Sequence, residues 1–321
     1  MIKINQNNSV ENILKDFDTE ITKKIFTTEF NKILNDLSNV YHIPTNILKL
    51  KTKQILYNNF NFKIRKFKNI FSGILSLLLY FIYFNYIIIC YLLKFKTKKN
   101  FKYQIIIPDV EHIDQYNRFK NVIDRNNSLI IIKNKFNKKF LKEIDISYKF
   151  EPSFRFDNDC FKNITILLKI LNKSLILSLF HRFNYVHILF ILLISIFKNL
   201  SLLKIYNAKY MLIDRFYNSC AIRNHYFKKF GGTFSTCIQK SLLEISMINY
   251  SEFDILFTIG KENINNFQLK KYCNINETIP MGSFFLETRN NKKKIISDTK
   301  YSYDITYIGM NFTRNVFISN E

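Results

Sequence analysis

The chain has 321 residues, 47% hydrophobic and 16% aromatic, with only 6 Gly and 4 Pro, which excludes disordered, collagen-like and low-complexity classes. Lys and Arg number 48 against 25 Asp and Glu, a formal net charge of +23. That excess favours anionic partners such as acidic lipid, phosphorylated substrates or nucleic acid, while lysine spread along the whole chain also suits a plain soluble surface.

Residues 1–68 form a helical N-terminal region. Ile13, Leu14 and Phe17 share one spacing, and Phe30, Ile33, Leu34 and Leu37 another, with apolar positions three and four apart as in amphipathic helices. Residues 69–93, "NIFSGILSLLLYFIYFNYIIICYLL", carry no charge and are flanked by "KIRKFK" and "KFKTKK". A helix of that length rises about 37 Å, more than the roughly 30 Å of a hydrocarbon core. The segment is expected to contact a membrane, either crossing it or lying in its surface, with a helix buried in a soluble domain as the competing reading. "VHILFILLISIF" (Val186–Phe197) is short for a span and reads as core.

The texture changes after residue 100. "YQIIIPD" and "SLIIIK" suit strands buried on both faces, and helical sequence runs from about Phe161 to Phe183. Then "KYMLID", "TFSTCIQ", "FDILFTI", "NETIPMG" and "SYDITYIG" recur at steps of roughly 20 to 25 residues, leaving room for one strand and one crossover helix per step. A helix from Arg215 to Phe230, closed by Gly231-Gly232, fills the first gap. This rhythm predicts an α/β fold with a Rossmann-like, doubly wound parallel sheet over residues 100–300, and the start of a second domain at 301–321.

In such sheets ligands bind beyond the carboxyl ends of the strands. The residues expected at that edge are Asp109, Asp214, Arg215, Gln239, Lys240, Gly260, Lys261, Glu262, Gly282 and Ser283. Neither a P-loop nor G-x-G-x-x-G nor G-x-S-x-G occurs. Asp157-Asn158-Asp159 matches a D-x-D cation pattern but reads as a solvated turn, so no metal site is assigned. Cys90, Cys160, Cys220, Cys237 and Cys273 are scattered without C-x-x-C, and the five His show no ligand spacing; a reducing compartment is expected.

The order "YMLID", helix, "KKFGGTFSTCIQKS", "SEFDILFTIGKENI", "NETIPMGS", "YDITYIG" over Tyr210–Ile308 resembles the acceptor-side domain of GT-B-type glycosyltransferases of bacterial surface and capsular polysaccharide pathways. In texture it is similar to the PFTS-motif polysaccharide biosynthesis proteins. Gln239 matches the family's glutamine, while Lys240 and Ser241 stand where the family has His-Gly.

The resemblance implies a transferase moving a sugar from a nucleotide-activated donor to a lipid-linked or glycan acceptor, with no cofactor besides that donor. It places the activity at the cytoplasmic face of the inner membrane, against an anionic surface, and implies that the chain stops where a donor-binding domain begins and is inactive alone. Asp109, Glu111, His112 and Asp214 are the base candidates; Arg215, Gln239, Lys240, Gly260, Lys261, Gly282 and Ser283 would hold substrate or phosphate. Two other functions fit the composition: a non-catalytic membrane scaffold, and a basic nucleic-acid binder, which lacks a recognisable module and is not expected.

Overall fold

The computed structural model describes residues 18–19, 21–60, 71–97, 100–120, 123–181, 183–214, 219–239, 250–258, 260 and 274–281. Helix α1 (Thr28–Tyr41) starts where the Thr27 hydroxyl accepts from the Phe30 N–H at 3.2 Å, and it stops at His42, whose φ of 55° leaves the helical region. Its buried side chains are Phe30, Ile33, Leu34, Leu37 and Tyr41, which includes the face read from the sequence. Ile13, Leu14 and Phe17 lie outside the described residues. Helix α2 (Thr45–Phe60) follows, then α3 (Phe71–Leu92).

The rest runs β1 (Phe101–Val110), α4 (Ile113–Phe119), β2 (Ser128–Ile132), β3 (Ser147–Phe150), α5 (Ile164–His181), α6 (Tyr185–Ile205), β4 (Tyr206–Ile213), α7 (Ala221–Lys229), β5 (Phe234–Ile238), β6 (Glu252–Thr258) and β7 (Asn274–Pro280), and most of the residues that link β5 to β6 and β6 to β7 lie outside the described ones. All seven strands are parallel, in the order β3-β2-β1-β4-β5-β6-β7. The fold is therefore α/β with a Rossmann-like doubly wound sheet. "SYDITYIG" and residues 301–321 lie outside the described residues.

Period-two alternation divides the core. Ile106, Leu129, Ile131, Met211 and Ile213 face the α5–α6–α7 side, while Ile107, Ile130 and Ile132 face Tyr116 and Phe119 of α4. Helices α1 and α2 pack on the first side, against α5, α6 and α7. β3 escaped the sequence reading because it is four residues long, mostly exposed, and carries Lys149 at the sheet edge.

Helix α7 begins at Ala221, and residues 215–218 of the helix expected from Arg215 lie outside the described residues. Its end is as expected. Gly231 adopts φ +95°, Gly231 N–H bonds to Lys228 O and Gly232 N–H to Phe227 O, closing the helix.

Helices α3, α5 and α6 are all long and apolar enough to cross a membrane. They differ in burial. Of α6's apolar stretch 61% is buried, so the Val186–Phe197 segment is core as expected, whereas only 22% of α3's is buried.

Candidate functional site

Strand order reverses between β1 and β4, because β1 leads outward through α4 to β2 and β3, and α5–α6 then return the chain to the far side of β1. The carboxyl ends of β1 and β4 form the switch point, the edge at which doubly wound sheets bind ligands. β1 reaches it through an irregularity: its register against β2 shifts between Ile107 and Val110, and Asp109 takes φ 62°. Left-handed backbone at a residue with a Cβ is uncommon, and aspartate tolerates it better than most.

The Asp109 carboxylate accepts from Arg223 of α7, and Lys133, just past β2, lies 3.7 Å from it. Lys133 also donates to Glu111 at 2.7 Å. Burial alone would raise the Asp109 pKa, but Arg223 and Lys133 outweigh it and hold the carboxyl below the usual range. Burial alone would lower the Lys133 ammonium; Asp109 and Glu111 reverse that and raise it. Lys51 of α2 adds to the positive field on Asp109 and on the Cys220 thiol. Glu151, past β3, pairs with Lys198 of α6 at 3.2 Å.

On the β4 side, Asp214 accepts from Gln115 at 2.8 Å and from Arg118 at 2.6 Å, both on α4. The Gln115 carbonyl oxygen in turn accepts the N–H groups of Glu111 (2.6 Å) and His112 (3.0 Å). One fully buried amide thus ties the end of β1 to the end of β4. His112 itself is exposed at the N-cap of α4.

The structure therefore brings Asp109, Glu111, His112 and Asp214 together at the switch point. Gln239 follows β5, buried, its N–H bonded to Phe257 O at 2.9 Å. Gly260 lies past β6, where its carbonyl accepts from the Thr258 hydroxyl at 3.3 Å. Arg215, Lys240, Lys261, Glu262, Gly282 and Ser283 lie outside the described residues. Sequence reasoning missed Gln115, Arg118, Lys133 and Arg223. Gln115 alone left a local signal, as the third residue of a helix reaching back to its N-cap.

Asp157-Asn158-Asp159 is not the solvated turn expected. Asp157 is fully buried and accepts from Lys204 at 2.7 Å, from Thr97, and from the Asp159 N–H, clasping the end of α6 to the segment before β1. Lys204 reaches Asp159 as well, at 2.6 Å. Among the described residues, no group of three or more His, Cys, Asp and Glu could hold a metal ion. No protein-family model, curated protein or solved structure matches this chain.

Proposed function

We propose that this chain is the acceptor-side part of a glycosyltransferase of surface polysaccharide synthesis. It would work at the cytoplasmic face of a membrane on a nucleotide-activated sugar and a lipid-linked or glycan acceptor. The observation that supports this best is the switch-point cluster, where Asp109, Glu111, His112 and Asp214 meet Arg118, Lys133 and Arg223. In the transfer, the bond from the anomeric carbon to the donor diphosphate breaks and the diphosphate leaves with the electron pair. A bond to the acceptor oxygen forms, and the acceptor hydroxyl proton passes to a base.

Asp109, Glu111 and Asp214 each sit in an ion pair, so they serve better to fix the strand ends than to take a proton. His112, exposed beside them and in none of these ion pairs, is the base of this reading. Arg223 is buried and held by Asp109, so Lys133, partly exposed beside Glu111, is the cation of the cluster that would meet a phosphate group. The same ion pairs favour a second reading, a non-catalytic scaffold whose cluster only stabilises the fold.

Thermal melting of the chain in anionic vesicles separates the two. A diphosphate-linked glycan acceptor or a nucleotide sugar should raise the midpoint, and Lys133→Ala should abolish the rise. If neither ligand class moves the midpoint, the transferase reading fails and the scaffold stands.

A further inference from the structure

Among the described residues, a long uncovered apolar stripe runs along α3. Ile74, Leu78, Phe81, Ile82, Ile89 and Leu92 are 49–73% exposed and recur at helical spacing, a strip about 27 Å long. Asn85 falls in the strip, but its side-chain N–H bonds to Phe81 O at 2.9 Å, which lessens its need for water. The opposite side of α3 is fastened to α5 and α6: Ser76, Tyr83, Ile87 and Cys90 are buried, and Tyr83 stacks on Phe190 with ring centroids 3.7 Å apart. The far end of α5 extends the apolar surface with Ile176, Leu179 and Phe180, the last 81% exposed.

The charge pattern identifies what covers this face. No Asp or Glu occurs between Asp36 and Asp109, or between Asp159 and Asp214, the two stretches that contain α3, α5 and α6. Lysines and arginines occur throughout both, and Lys94, at the end of α3, lies over the Tyr91 ring at 3.3 Å. An apolar surface on helices that carry no Asp or Glu of their own, with lysine on α5 and α6 and just past α3, fits an anionic bilayer. A second copy of the chain would bring like charges together.

Crossing the bilayer is a different matter. Because α3 is packed along its length on α5 and α6, crossing would carry their ion pairs into hydrocarbon: Lys173–Asp36, Lys198–Glu151, and Lys204 with Asp157 and Asp159. We infer that α3 lies in the plane of an anionic bilayer, its Ile74–Leu92 stripe sunk to the headgroup–acyl boundary, and does not span it. This rests on the membrane part of the reading above and not on the transfer reaction, so it is tested without nucleotide or acceptor.

The chain has no Trp, so single replacements report depth without background. Ile74→Trp, Ile82→Trp and Leu92→Trp, each in phosphatidylglycerol vesicles, should be quenched alike, within about twofold, by lipids brominated near the headgroup, about 5–10 Å below the surface. Deep quenching confined to Ile82→Trp would show a spanning helix and overturn the inference. So would no quenching at any position in variants that circular dichroism shows to be folded. Phe81→Glu combined with Ile82→Glu should cut flotation with these vesicles by more than about tenfold. Unchanged flotation, or lost self-association in its place, would also overturn it.

Discussion

Asp157 shows how burial gives a residue its role. Its carboxylate is fully inside, and although burial raises its pKa, the bonds from Lys204 and Thr97 and the Asp159 N–H prevail and lower it. A depressed carboxyl stabilises the fold above its unfolded pKa, roughly 3.9, and that contribution is lost as pH falls through the lower folded value. Asp157→Asn should therefore destabilise the chain at pH 7 by about 3 kcal/mol, as removal of one partner of a buried pair does, and the gap should narrow as pH falls below roughly 3.9 and close beneath the depressed folded value. Urea midpoints of both proteins across that range check it; a gap independent of pH would remove the charge from the explanation. Nothing local in "FDNDC" foretold this, since Lys204 is 47 residues away in sequence. Gln115 was hidden only in part: its reach back to the N-cap is local, but its second partner, Asp214, is 99 residues off.

Elements were more legible than residues wherever periodicity was long. β1, β2, β4, β5, β6 and β7 each begin or end within a few residues of the run that predicted them, most plainly β2, whose five residues are all buried and, over 129–132, write an uninterrupted apolar run. β3 wrote no such run. The α3 and α6 sequences look alike in hydropathy, yet α6 is core and α3 is largely uncovered, since only the strand and helix packed beside each decide its burial. Glycine punctuation was legible and has a mechanical reason: a Cβ at Gly232 would overlap the Phe227 ring, which is buried and cannot swing aside. Gly232→Ala should cost about 1–3 kcal/mol by overpacking, measured as a lowered urea midpoint. Phe227→Leu should recover part of that loss; no recovery would place the cost elsewhere.

For the whole molecule, the spacing of apolar runs announced a parallel sheet but not the order of its strands. Whether the strand after α6 joins beside β1 or beside β3 depends on which face α5 and α6 cover, and both helices are apolar enough for either. The cluster exists only because β4 joins beside β1, which puts Glu111 and Asp214 on the two sides of one amide. That adjacency is directly measurable at the opposite end of the same two strands. Lys102 and Asn207 are parallel register partners. Neighbouring strands lie about 4.8 Å apart, within the Cα window of roughly 4.4–6.8 Å for a disulfide. Lys102→Cys with Asn207→Cys should oxidise to an intramolecular crosslink, identified by mass spectrometry, while the circular dichroism spectrum stays unchanged. No crosslink between the two cysteines in a chain that remains folded would separate β1 from β4 and dissolve the candidate site with them.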